Sequence, residues 1–138
     1  MIRALIDSNV FFDYTLKQGD SVEFAVRIFQ KIFVGKIQGC VSSSMITDFY
    51  YVLKKRTDAE NARKMIEMAY RTLTILPVTH KTIRNALDSP MDDFEDAVQA
   101  VAAQSEGIEV VVTRDKTGFK NSGMTVFTPQ EFLTFLDK

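Results

Sequence analysis

Cysteine and histidine are almost absent from this 138-residue chain, which contains one of each. Cys40 has no second cysteine with which to form an internal disulfide. His80 has no partner histidine and no accompanying catalytic serine, so the sequence indicates neither a catalytic triad nor a zinc site built from histidine and cysteine. The chemistry of the chain is therefore expected from other polar residues.

Long apolar runs and a strong excess of charge are also missing. No apolar stretch approaches the ~20 residues needed to span a bilayer, and no signal peptide is recognisable, which predicts a cytoplasmic protein with no membrane association. The net charge of −1 argues against a protein that coats nucleic acid indiscriminately but allows a basic patch beside an acidic site. No repeat or linker divides the chain, so residues 1–138 are predicted to form a single domain.

Strand-like apolar segments alternate with segments of helical periodicity along the chain, which favours an open parallel α/β sheet buried on both faces. The predicted strands are 2–6, 40–42, 73–78, 108–112 and 125–127. The predicted helices begin at Ser8 or Asn9, at Gly19–Ser21, at Met45, at Asp92, after capping residues Thr57 (with Glu60) and Thr128 (with Glu131), and at Thr79.

Carboxylates recur where predicted strands end or helices begin. Asp7 follows the first strand, Asp48 lies in the first turns of the third helix, and Asp115 closely follows the strand at 108–112. A further run of acids at 92–96 opens a helix. Ligands of open parallel sheets bind at the carboxyl ends of strands, and acids gathered there would repel one another unless a divalent cation were bound. The sequence therefore predicts a carboxylate-lined metal site suited to phosphodiester chemistry.

Each acid taken alone has a simpler explanation. Asp93 is placed to cap a helix, and Asp7 and Asp115 can be caps or turn residues. Asp48, in an apolar helix, and Asp96, beyond the start of its helix, are less easily explained in this way. Asp93 and Asp96 are also i,i+3 neighbours that can face one cation. The prediction of a metal site depends on the combination.

Four segments in their order along the chain resemble the PIN-domain family. They are Leu-Ile-Asp-Ser-Asn at 5–9, Ser-Ser-Met-Ile-Thr-Asp-Phe-Tyr-Tyr-Val-Leu at 43–53, Asp-Phe-Glu-Asp-Ala-Val-Gln-Ala at 93–100 and Val-Val-Thr-Arg-Asp at 111–115. The resemblance covers essentially the whole chain. It implies a Rossmann-like three-layer α/β/α sandwich with a central, mainly parallel sheet, and a ribonuclease that depends on Mg²⁺ or Mn²⁺.

The resemblance also implies roles for particular residues. Its acidic positions fall on Asp7, Asp48, Asp96 and Asp115, which are the expected catalytic residues. Asp7, Asp96 and Asp115 would hold the metal, with Asp93 as an auxiliary ligand. Asp48 would complete the metal shell or help to activate water.

Partners follow from the same resemblance and from the basic residues near the acids. Arg114 and Lys116 flank the last acid, and Lys55 ends the helix that carries Asp48, so these three are expected to contact RNA phosphates or to be solvated surface residues. Many small bacterial members of the family are the toxins of toxin–antitoxin pairs. An antitoxin protein and a homodimer are therefore expected partners.

Two positions depart from the family pattern and keep other functions open. The second acid is commonly glutamate and is Asp48 here, and relatives often carry an aspartate where this chain has Gly118. Both departures favour an alternative, a catalytically weakened module that binds RNA or protein. A phosphoacceptor receiver domain is a third class, but the acidic pair after the first strand and the late lysine that it requires are missing.

Overall fold

All residues from 1 to 138 are described by the computed structural model, whose strands form a single five-stranded sheet. The strands are β1 (Ile2–Ile6), β2 (Ile37–Ser42), β3 (Thr74–Leu76), β4 (Val110–Val112) and β5 (Thr125–Phe127). Their order is β3-β2-β1-β4-β5, and every neighbouring pair is parallel. The predicted parallel sheet is thus confirmed.

Seven α-helices and two short 3-10 helices connect the strands. The α-helices are α1 (Ser8–Leu16), α2 (Val22–Phe33), α3 (Ile46–Arg56), α4 (Ala59–Thr72), α5 (His80–Leu87), α6 (Phe94–Ser105) and α7 (Pro129–Leu136), and the 3-10 helices are Ser43–Met45 and Lys116–Phe119. None of the helices is both long and apolar enough to cross a membrane.

The sheet separates two apolar cores because side chains alternate between its faces. Ala4 and Ile6 of β1 pack with α1, α2, α3, α4 and α7. Leu5, between them, packs on the opposite face with Cys40 and with residues of α5 and α6. Helices therefore cover both faces of the sheet, and the expected three-layer α/β/α sandwich is confirmed.

Several predicted boundaries were wrong by a few residues. β2 begins at Ile37 rather than Cys40, because Ile37 already pairs with Ile2 in the parallel register. β4 starts at Val110 rather than at the predicted residue 108, and β3 stops at Leu76 rather than at the predicted residue 78. Regular pairing with the neighbouring strand, and not apolarity alone, decides where a strand begins and ends.

Capping was predicted correctly for α5 and α7 and wrongly for α4. Thr79 and Thr128 both form capping boxes. The cap of α4 is Asp58, whose carboxylate accepts a hydrogen bond from the Asn61 amide at 2.8 Å. Thr57 was the predicted cap, but it ends α3 instead, where its hydroxyl donates to the Leu53 carbonyl at 2.6 Å.

The chain order creates a switch point between β1 and β4. From the central strand β1 the chain passes outward through β2 to β3, then returns to form β4 and β5 on the other side. Ligands of open α/β sheets bind at such points, outside the carboxyl ends of the strands. Asp7 and Thr113 directly follow the two strands there, and α6 leads back into β4, so its N-terminus lies at the same edge.

Candidate active site

Asp7 is fixed between the ends of β1 and β4. Its side chain is only 7% exposed. One carboxylate oxygen, Oδ1, accepts a hydrogen bond from the Ser8 amide at 2.8 Å, and Oδ2 accepts one from the Thr113 hydroxyl at 2.7 Å. Asp7 is therefore the cap of α1, a role predicted for Ser8 or Asn9. Burial raises the pKa of Asp7, and these hydrogen bonds oppose that rise.

Asp96 is the acid whose titration the fold changes most. It lies half-buried in the first turn of α6, and burial together with neighbouring negative charges raises its pKa to about 7. Three of those charges belong to Asp7, Asp93 and Asp115, and the fourth belongs to Glu95. The structure therefore brings three other predicted site acids close enough to Asp96 to act on its carboxylate.

Asp93 and Asp115 also serve as helix caps. Asp93 Oδ1 accepts a hydrogen bond from the Asp96 amide at 2.9 Å, which makes Asp93 the cap and starts α6 at Phe94 rather than at the predicted residue 92. Asp115 Oδ1 accepts from the amide and the hydroxyl of Thr117. Each carboxylate keeps one oxygen, Oδ2, without a hydrogen bond to protein.

Gln99 is a member of this site that the sequence prediction missed. It is 2% exposed, and its amide nitrogen Nε2 donates to Asp96 Oδ1 at 3.4 Å. A hydrogen bond from the same side chain lowers the pKa of Asp7. A signal was available, because Gln99 is a lone polar residue one turn after Asp96 on an otherwise apolar helix face.

Asp48 is the remaining predicted site acid. Its side chain is exposed and forms no hydrogen bond or ion pair with the protein. Lys55, two turns further along α3, is also exposed and unpaired. The roles of these two residues in catalysis and phosphate binding stay predictions.

The other two predicted phosphate contacts already have acidic partners. Arg114 Nε lies 2.9 Å from Oδ2 of Asp13, a buried residue that the sequence prediction did not single out. Lys116 Nζ lies 3.1 Å from Oε1 of Glu131, and both of these side chains are about half exposed. Surface pairs of the second kind contribute little to stability and exchange easily with other partners.

Gly118 lies directly against Asp96. A Cβ atom at this position would be 2.7 Å from Asp96 Oδ2. That separation is well inside van der Waals contact, so any side chain at residue 118 would displace the Asp96 carboxylate. The glycine is therefore matched to the present position of Asp96.

The donor set fits a hard divalent cation. The acidic side chains near Asp96 offer carboxylate oxygens, and oxygen is the ligand type of Mg²⁺ and Mn²⁺. A cation would also relieve the repulsion that raises the pKa of Asp96. No three acidic, histidine or cysteine side chains are already arranged to hold a metal ion. Asp7 and Asp96, which are linked through Gln99, are the acids best placed to begin such a site.

The fold and the site define a class of α/β/α protein with carboxylates at the switch point of a parallel sheet. The model of the PIN domain family matches residues 3–117. This match covers most of the chain, and the chain belongs to the PIN domain family.

Relatives are similar over nearly the whole length. Ribonuclease VapC1 of Aquifex aeolicus (strain VF5) is 28% identical over 135 residues, covering 94% of this chain and 92% of that protein. The crystal structure of VapBC2 from Rickettsia felis, bound to a DNA fragment from their promoter, gives a TM-score of 0.69 at 14% identity, covering 92% of this chain and 98% of that one. A toxin–antitoxin complex from Klebsiella pneumoniae gives a TM-score of 0.65 at 21% identity, covering 91% of this chain and 97% of that one. At these identities the two structures show a shared fold.

Proposed function

We propose that this protein is a divalent-metal-dependent endoribonuclease that hydrolyses RNA phosphodiester bonds. The observation that carries the proposal is the cluster of four acids at the switch point. In this cluster, Asp7, Asp93 and Asp115 contribute to raising the pKa of Asp96 to about 7. The similarity to a ribonuclease, VapC1 of Aquifex aeolicus, supports RNA as the substrate.

Asp7, Asp96 and Asp115 are the proposed ligands of Mg²⁺ or Mn²⁺, and Asp93 is an auxiliary ligand. The bound cation would neutralise charge on the scissile phosphate and acidify a water molecule. Thr113 and the Ser8 amide hold Asp7 in one orientation. Gln99 holds Asp96.

The remaining predicted residues act around this group. Asp48, exposed on α3, has room to approach the site through water and is proposed to help activate it. Lys55, Arg114 and Lys116 are proposed to bind the RNA backbone, which carries one negative charge per nucleotide. Lys116 would exchange its pairing with Glu131 for a phosphate.

We propose further that the protein is the toxin of a toxin–antitoxin pair, forms a homodimer and acts in the cytoplasm as a single domain. Structural neighbours include a toxin–antitoxin complex and VapBC assemblies bound to DNA. The exposed Tyr51 and Tyr70, which are 66% and 71% exposed, are apolar surface that a partner protein can cover.

The second candidate function is a module that binds RNA or protein without turnover. Two observations favour it: the Asp48 side chain forms no hydrogen bond or ion pair, and no three acidic, histidine or cysteine side chains are pre-arranged for a metal. A metal titration separates the two functions, because the binding module predicts neither stabilisation by Mn²⁺ nor RNA cleavage.

The function is tested by incubating a panel of structured and single-stranded RNAs with the protein in Mn²⁺, Mg²⁺ or EDTA. Wild type is expected to cleave in the presence of metal only. Asp7→Asn keeps the shape of the side chain but removes a negative charge from the metal site, so it should cleave at most about 1% as fast, a loss of several kcal/mol in transition-state stabilisation. Equal cleavage by the two proteins would contradict the proposal.

Gln99→Leu is expected to slow cleavage by about tenfold, the equivalent of one lost hydrogen bond to a charged group. The substitution keeps the side chain's approximate volume but removes the amide that holds Asp96. Gln104→Leu is the matched control on the same helix, because the Gln104 amide donates to the Ser122 carbonyl instead. Single-turnover cleavage rates should fall for the first variant and change less than about twofold for the second. Equal rates for the two variants would remove Gln99 from the site.

A further inference from the structure

Asp13 is a buried acid that the proposed chemistry does not use. It lies on α1 and is 1% exposed, and neither of its carboxylate oxygens accepts a hydrogen bond of good geometry. Its partner is Arg114, whose Nε lies 2.9 Å from Asp13 Oδ2. Burial raises the pKa of Asp13, while the charge of Arg114 opposes that rise. A carboxylate this deeply buried is costly to the fold unless it is compensated.

The same helix holds the backbone of Arg114. Asn9, one turn before Asp13, accepts a hydrogen bond from the Arg114 amide at 3.2 Å through Oδ1. Its Nδ2 lies 3.3 Å from the Thr113 hydroxyl, to which it donates. Helix α1 therefore fixes Arg114 at two points, its main chain through Asn9 and its guanidinium through Asp13, which are i,i+4 neighbours on one helix face.

This arrangement orients Arg114 but leaves its terminal amino groups available to a ligand. It stands between Thr113, which binds Asp7, and Asp115. Its side chain is 43% exposed, and neither of its terminal amino groups makes a hydrogen bond to the protein. A guanidinium held through Nε keeps its two terminal amino groups, and their N–H groups match the oxygens of a phosphate.

We propose that Asp13 is a positioning residue that orients the Arg114 guanidinium for binding a phosphate of the RNA backbone beside the cluster of acids around Asp96. This inference rests on the proposed nuclease function. A buried anchor suits the role because it leaves the long arginine side chain few orientations, which lowers the entropy lost when RNA binds. Lys116 has only an exposed partner, Glu131, and lacks such an anchor.

The test is a double-mutant cycle on RNA affinity in an Asp7→Asn background, in which bound RNA is not cleaved. Affinity for a single-stranded RNA is measured by fluorescence anisotropy for Asp13→Asn, Arg114→Ala and the combined variant. Asp13→Asn should weaken binding about fivefold and Arg114→Ala about tenfold, with the combination no weaker than Arg114→Ala alone. Additive effects, unchanged or tighter binding by Asp13→Asn, or no RNA binding by the parent would each overturn the inference.

Melting temperature separates positioning from a structural role. Asp13→Asn removes a buried charge and leaves behind an arginine that is already partly exposed, so its melting temperature should equal or exceed that of the parent while its RNA affinity falls. A fall in melting temperature would favour a structural role and overturn the inference. Glu60→Gln, which makes an acid-to-amide change at the exposed Glu60–Lys64 pair of α4, is the control and should change RNA affinity less than about twofold.

Arg114→Lys tests the inference without altering Asp13. Lysine keeps the charge but lacks the Nε and the fork, so its RNA affinity should fall close to that of Arg114→Ala. Full affinity would show that charge alone suffices and would overturn the proposed positioning. Cleavage by the wild type is assayed separately. Coupling between Asp13 and Arg114 without any wild-type cleavage would contradict the proposed nuclease and leave the positioning intact, whereas cleavage without coupling would do the reverse.

Discussion

Asp96→Asn is expected to reduce metal-dependent RNA cleavage by about 100-fold or more while leaving the protein folded. Asp96 is the acid on which the negative charges of Asp7, Asp93 and Asp115 converge. Removing its charge removes one ligand and part of the attraction for a divalent cation, and metal assistance is worth several kcal/mol of transition-state stabilisation. Single-turnover cleavage at saturating Mn²⁺ measures the loss.

The matched control is Asp92→Asn. It makes the same acid-to-amide change in the same segment, at an exposed side chain that forms no hydrogen bond. Its cleavage rate should remain within about twofold of wild type. A wild-type rate for Asp96→Asn would show that the cluster of acids around Asp96 is not the reaction centre.

Asp96→Asn should also increase the stability of the protein in EDTA, by an amount that depends on pH. The fold raises the pKa of Asp96 from its ordinary value of 3.8 to about 7, so the folded protein keeps a proton that the unfolded chain releases. Stability from this proton is complete below pH 4 and is lost as the pH rises to about 7. The side chain in Asp96→Asn is neutral at every pH, so this variant does not lose that stability. Its melting temperature should match that of wild type at pH 4 and exceed it at pH 8, and the reverse order would show that Asp96 is stabilised as an anion.

Gly118→Ala is expected to slow cleavage by about 10- to 100-fold without lowering the melting temperature by more than about 1 °C. The new Cβ would lie 2.7 Å from Asp96 Oδ2. Because a carboxylate is the mobile end of a side chain, it can turn away at small cost to folding. A displacement of about 1 Å at a reacting centre is nevertheless enough to cost up to 100-fold in rate.

The control for Gly118→Ala is the same change in the Asp96→Asn background. If the alanine acts through the Asp96 carboxylate, it should cause little further loss there, since the functional carboxylate is already gone. A full additional loss in that background would indicate that residue 118 affects catalysis by another route. Wild-type activity in the single variant would show that the Asp96 side chain has space to spare.

The fold could be predicted because its signals are local. Thr79 and Thr128 mark helix starts within a few residues, and apolar segments mark the strands. The exact ends of the strands could not be predicted in this way, since the start of β2 at Ile37 depends on pairing with Ile2, far away in the sequence.

The acids that gather at the switch point were predicted, but Gln99 and Asp13 were not. Asp7, Asp93, Asp96 and Asp115 follow strand ends or begin helices, where sequence position is informative. Gln99 and Asp13 lie in the middle of helices, and their importance depends on which distant side chains the fold brings to them, Asp96 with Asp7 for one and Arg114 for the other.

The hydrogen bond between Thr113 and Asp7 joins residues 106 positions apart, and it sets the moment in translation at which the site can exist. The central strand β1 leaves the ribosome well before β4, Thr113 and Asp115. A nascent chain can pair β1 with β2 and β3, but Asp7 then has no partner across the switch point. The carboxylates of Asp7, Asp96 and Asp115 therefore cannot gather until β4, Thr113 and Asp115 have left the ribosome.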